Sequence, residues 1–84
     1  MHQTINEPIK VGVRFSDHRA VDLDWFGWRG RQHDVDSIQQ YHRVFEGEAP
    51  LHHFAVRAGD QFFKLVFDGK KLQWQLEKVW TERD

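Results

Sequence analysis

From Ile9 to Phe15 apolar and polar residues alternate. Ile9, Val11, Val13 and Phe15 hold one parity; Lys10, Gly12 and Arg14 hold the other. A period of two predicts a strand with one buried face. Pro8 opens this run, and the polar residues 1 to 7 before it are expected to fray. Ser16-Asp17-His18-Arg19 interrupts the pattern with turn-forming residues. Val21, Leu23 and Trp25 then alternate with Asp22 and Asp24, after which Phe26 and Trp28 take the opposite parity. One extra residue flips side-chain register, so a bulge is expected at Gly27. Arg29-Gly30 reads as the hairpin tip that follows, with Gly30 free to take positive φ.

The stretch from Arg31 to Phe45 has two readings. Val35, Ile38, Tyr41 and Phe45 fit helical spacing, whereas His33, Val35 and Tyr41 fit a long strand that bulges near Asp36-Ser37. The favoured reading is a bent strand, and a helical turn at Ser37 to Tyr41 is the alternative. Gly47-Glu48-Ala49-Pro50 is a loop by composition. His52 to Ala58 puts Phe54 and Val56 on one face, and Ala58-Gly59-Asp60 turns the chain. Gln61 to Phe67 is apolar on both faces, as a central strand is. Asp68-Gly69-Lys70-Lys71 signals a second hairpin, and Leu72, Trp74 and Leu76 alternate beyond it up to Val79-Trp80. The whole predicts an all-β chain of five to six antiparallel strands, a meander or partly closed barrel with an ordered part at about 8–80. Val11, Val13, Leu23, Val56, Phe63, Leu65, Phe67, Trp74 and Leu76 are the expected core.

Eighty-four residues leave room for one domain. A chain of this size buries only about 60–65% of its unfolded surface, and its large rings compensate. Seven Phe, four Trp and one Tyr can each remove roughly 150–250 Å² from water. Without cysteine there is neither a disulfide framework nor a thiolate metal site. A net charge of −1 argues against a dedicated DNA-binding domain. No apolar run reaches membrane-spanning length, and the first residues lack the blocks of a secretion signal. A cytoplasmic setting is therefore expected.

Six histidines raise the question of a metal, with His33, His42, His52 and His53 the candidates. His52 and His53 point to opposite faces of a strand, and no HExxH-like spacing occurs. Exposed or hydrogen-bonded imidazoles explain them better, and no cofactor is expected. Asp22 and Asp24 share a strand face and could serve acid-base chemistry, the least favoured function. A solvated face is the simpler account. No serine has a GxSxG context, and no glycine-rich phosphate loop is present. Lys70-Lys71 reads as a soluble turn.

Aromatic and basic residues converge only in Asp24-Trp25-Phe26-Gly27-Trp28-Arg29-Gly30-Arg31. Trp28, Arg29 and Arg31, with Arg14 or Arg57 nearby, could stack bases and grip phosphates. The competing account packs the rings into the core and leaves the arginines to solubilise the tip.

Taken with Glu7-Pro8-Ile9, His33, Val35, Phe54-x-Val56-Arg57-Ala58, Phe63-Lys64-Leu65-Val66-Phe67-Asp68 and Trp74-Gln75-Leu76-x-x-Val79, this segment resembles a family of small bacterial β domains of unknown function. The family is marked by a Trp-Arg-Gly-Arg core, and similar segments occur at the C-terminus of polymerase-like proteins of damage-tolerant DNA synthesis. The resemblance covers residues 7–80. Tyr41 stands where relatives usually carry Trp, and the loop from Phe45 to His52 is short. The resemblance implies a non-enzymatic module near DNA metabolism and supplies no catalytic residue. The expected function is a small non-catalytic cytoplasmic interaction module of unknown partner, a protein or single-stranded nucleic acid. The alternative is weak binding of single-stranded or damaged nucleic acid at Trp28, Arg29 and Arg31.

Overall fold

The computed structural model describes residues 2–15 and 21–81. The turn expected at Ser16-Asp17-His18-Arg19 lies outside them. Seven strands follow one another: β1 (Gln3–Phe15), β2 (Val21–Trp28), β3 (Arg31–Asp34), β4 (Ser37–Glu46), β5 (Ala49–Ala58), β6 (Gln61–Asp68) and β7 (Gln73–Trp80). All pairings are antiparallel, in the order β3-β2-β1-β7-β6-β5-β4, and the sheet curls into a half-barrel.

Two stretches of chain create the curl. β1 pairs through Gln3 to Ile9 with β7 and through Lys10 to Phe15 with β2. Pro8, which has no N–H to give, sits just before the change of partner. The second stretch runs through β3 and β4, the two edges of the sheet, which only Val35 and Asp36 separate. Val35 N donates to Asp24 O at 2.9 Å, and Asp36 N donates to Arg57 O at 2.8 Å. Adjacent residues thus bond to β2 and to β5, so the sheet's edges meet there. Strands that change partners make the corners of folded-over sheets. The small wing β1-β2-β3 closes over the large wing, and Phe26 meets Phe63 edge-on, their centroids 4.8 Å apart.

Strand number and several boundaries differ from expectation. The favoured bent strand is present but broken at Val35–Asp36, which makes seven strands rather than five to six. No helical turn forms at Ser37 to Tyr41, because β4 pairs with β5 along its whole length and this ladder satisfies the backbone. Its bulge lies between Ile38 and Gln40, not at Asp36-Ser37. Residues 3 to 7 do not fray; Gln3, Thr4 and Glu7 pair with Val79, Lys78 and Leu76. Ala49 and Pro50 belong to β5, leaving only Gly47 and Glu48 in the turn. Leu72 is a turn residue at φ 56 and is 73% exposed, so β7 starts at Gln73.

The bulge expected at Gly27 lies earlier. Gly12 faces Trp25 and Val13 faces Leu23, so Asp24 is the extra residue. Gly27 is regularly paired, with Lys10 on one side and Gln32 on the other. The bulge turns Phe26 inward and leaves Trp25 on the outer face.

Of the expected core, Leu23, Val56, Phe63, Leu65 and Leu76 are buried, whereas Val11, Val13 and Trp74 pack against them half-buried. Phe67 is half-buried as well. Phe26, Phe54, Ala58 and Val79 complete the core cluster. The apolar reading of both faces of β6 holds, since Val66 is buried on the side opposite Leu65. No helix among the described residues is long and apolar enough to cross a membrane.

Candidate functional site

The two-residue turn Arg29-Gly30 joins Trp28 to Arg31, and both its residues have positive φ, 51 and 76. Hairpin twist favours this turn, with Asn or Asp rather than Arg at its first position. An arginine in the left-handed region carries a cost of about 1–2 kcal/mol, and its side-chain contacts show what that residue supplies. Arg29 Nη2 donates to Glu7 Oε2 at 2.9 Å and its Nε to Oε1 at 3.4 Å. The guanidinium also lies over the Trp28 ring, 4.6 Å from its centroid. Trp28 Nε1 donates to the same Glu7 Oε1 at 2.9 Å. Glu7 belongs to the part of β1 paired with the large wing, so this clasp ties the wings together. The Arg29 hydrogen bond, and then that of Trp28, hold the Glu7 carboxyl below its ordinary pKa.

Trp28 is held in place by this arrangement and stays half-buried. Its ring meets Phe63 edge-on at 6.3 Å and tilts against His33 at 6.0 Å. His33 stacks on Phe26 at 4.9 Å, and burial, with Arg31 adding to it, pushes the imidazole pKa down. All three expected site residues line one groove, and within it Arg29 lies directly over Trp28. Arg31 faces Trp28 across the hairpin without an acidic partner among the described residues. Arg14 is engaged by Asp24 at 3.3 Å and Asp22 at 3.6 Å. Arg57 pairs with Asp36 at 3.7 Å, at the link between the sheet edges.

The other candidates are distributed differently. The Asp22 and Asp24 carboxylates bracket Arg14 rather than each other. His42 and His53 stack across β4 and β5 at 4.9 Å, while His52 joins Tyr41 on the opposite face, Tyr41 Oη lying 2.7 Å from its Nδ1. Burial, and next Lys64, lower the pKa of His53, whose buried Nδ1 has no partner. Among the described residues, no three His, Cys, Asp or Glu side chains are grouped to hold a metal ion. Lys70 and Lys71 offer their backbone N–H groups to Asp68 Oδ1 at 2.9 and 3.0 Å, fixing the second turn.

A groove of about 580 Å³ opens beside the hairpin tip, lined by Lys10, Trp25, Gly27, Gln32 and the run from Trp28 to Arg31. Its openness has a simple origin. A Cβ on Gly27 would find nothing within 4 Å, so the outer face is bare between the Trp25 ring and the tip. The half-buried Trp25 forms the apolar wall, and Lys10 and Arg31 bring positive charge to it. Trp25, Gly27, Lys10 and Gln32 were not among the expected site residues. The signal that could have found them is the bulge at Asp24, which decides which tryptophan faces out. No family model, curated protein or solved structure matches the chain.

Proposed function

We propose that the protein is a non-catalytic binding module that holds a segment of a protein partner in the groove over Gly27. The observation that carries this reading is the uncovered Trp25 wall flanked by two cations. Aromatic surface rimmed by a few charges is the composition of interaction sites. The other nearby cations are already neutralised, Arg29 by Glu7 and Arg14 by Asp22 and Asp24. Two cations rather than a continuous basic surface suit a segment with an apolar anchor beside acidic residues.

The same groove supports a second reading, single-stranded nucleic acid, because Trp25 stands next to Lys10 and Arg31. A base on the indole with phosphates on the cations is how such strands are held. The resemblance to segments of polymerase-like proteins favours that setting. The stacking ring is then Trp25, since Trp28 is covered by Arg29 and tied to Glu7.

A photo-crosslinking amino acid in place of Gln32, on the groove wall, distinguishes these readings in the cells that make the protein. A protein adduct that disappears with Trp25→Ala supports the first. A nucleic-acid adduct with the same dependence supports the second, and Trp25→Ala should then cost about 1–3 kcal/mol in oligonucleotide affinity. Adducts indifferent to Trp25 would sink both. Far-UV circular dichroism of Trp25→Ala checks that the fold persists.

A further inference from the structure

We propose that two copies of this chain associate through β4, edge to edge, about a two-fold axis at Val44. Among the described residues no strand pairs with β4 on the side away from β5. This edge carries three exposed apolar side chains, Tyr41 at 49%, Val44 at 41% and Phe45 at 62%. Open edges can recruit a further strand; the bulge of β4 lies at its far end between Ile38 and Gln40, and its charges, Arg43 and Glu46, find partners in the pairing described next.

The hydrogen-bond pattern decides which backbone groups of β4 are free. Pro50 gives its carbonyl to Gly69 N at 2.9 Å, on the β6 side, so Pro50 and Phe45 form a pair without hydrogen bonds between them. Alternation along the ladder then directs the backbone N–H and C=O groups of Arg43 and Phe45 to the free edge, and those of His42, Val44 and Glu46 to β5. With the axis at Val44, Arg43 of one copy stands opposite Phe45 of the other. Their outward groups exchange two hydrogen bonds, and symmetry repeats them.

Side chains agree with this register. Arg43 already places its guanidinium over its own Phe45, 5.2 Å from the ring centroid, and both lie on the core side with Tyr41. Opposed to a second Phe45, it sits between two rings. On the other face His42 stands opposite Glu46 of the second copy, donor against carboxylate, and Val44 meets Val44. Moving the axis to Arg43 would set like charges directly opposite and is excluded by repulsion. A two-fold contact of one patch with itself closes after two chains, because the patch is used up in making it.

Sedimentation equilibrium over a wide concentration range tests the pairing. The mass should rise from 10.1 kDa towards twice that value. Val44→Lys places two ammonium groups across the axis and should hold the protein at the lower mass. His42→Glu alone and Glu46→Lys alone should each weaken association roughly tenfold, because the symmetry counts each lost pair twice. The two together restore an opposite-charge pair and should restore the dimer, a rescue that only this register gives. Should Val44→Lys fail to fold by circular dichroism, the charge exchange decides alone. A mass of 10.1 kDa throughout, or a dimer indifferent to the charge exchange, overturns the proposal.

Discussion

A Cβ on Gly12 would fall 2.2 Å from Nε1 of Trp25 and 2.5 Å from its Cε2. The indole lies flat across the facing strand, and only a glycine leaves room for it. Gly12→Ala must push the ring off, at a cost of about 1–3 kcal/mol from overpacking, measurable by urea denaturation. The wall of the groove moves with the ring, so tryptophan emission should change even where the fold survives. Charge at single residues sets the acid response. Burial, and then Arg31, lower the pKa of His33 in the fold below that of the unfolded chain. Its contribution is fully present above the ordinary histidine range and is lost as pH falls through the folded value. Glu7, depressed by Arg29 and Trp28, adds a separate loss further down, below the ordinary carboxylate range. Thermal melts across pH should show two declines. His33→Phe, which keeps the ring stacked on Phe26, should reduce the upper one, which His53 shares, and Arg29→Met the lower one, which Asp68 shares.

β6 lies inside the sheet, and Leu65 faces Phe54 on one neighbour and Leu76 on the other, fully buried. Leu65→Ala removes methyl groups from a site with little freedom to collapse, and denaturation should show a loss of about 2–5 kcal/mol. This strand and the turns at Gly30 and Gly59 were readable from the chain, because two apolar faces and a Gly at positive φ are local properties. The location of the bulge in β2 was not. Parity shows that a flip occurs between Leu23 and Phe26, but the residue left over is decided by which pairs form with β1. Glycine drew the expectation to position 27, whereas Asp24 absorbs the extra length, its side chain held by Arg14. β4 was ambiguous for a related reason. Its outer half is exposed on both faces, so no burial pattern separates strand from helix, and the choice comes from β5. The aromatic-basic hairpin was visible, but the part taken by each tryptophan follows from Glu7, twenty-one residues from Trp28.

Besides the Glu7 clasp, the curled sheet is held shut at a short piece of backbone. Asp36 accepts from Gly59 N at 2.8 Å and faces Arg57 at 3.7 Å, securing the link between β3 and β4 to the β5–β6 turn. Hydrogen exchange should find the Val35 and Asp36 amides protected, although they join two edge strands. In Asp36→Ala those two amides should exchange faster while β5 to β7 stay slow, with a stability loss of about 1 kcal/mol. Equal acceleration everywhere would mean that the link opens only with the whole molecule.

The pairing of β1 with β7 also bears on the time course of folding. Every other contact between neighbouring strands joins consecutive segments across a turn or a short connection. This one brings Gln3 to Val79, a separation of 79 − 3 = 76 positions. Closing a loop costs about 0.6 kcal/mol for each doubling of its length, so the two local meanders assemble first and this seam zips last. Interactions absent from the transition state govern unfolding, and those already present govern refolding. Ile9→Val in the seam should therefore accelerate unfolding and leave the refolding rate nearly unchanged, whereas Val56→Ala at the β5–β6 pairing should slow refolding. Stopped-flow fluorescence resolves the two arms, and the late seam then sets how long the native chain persists once formed.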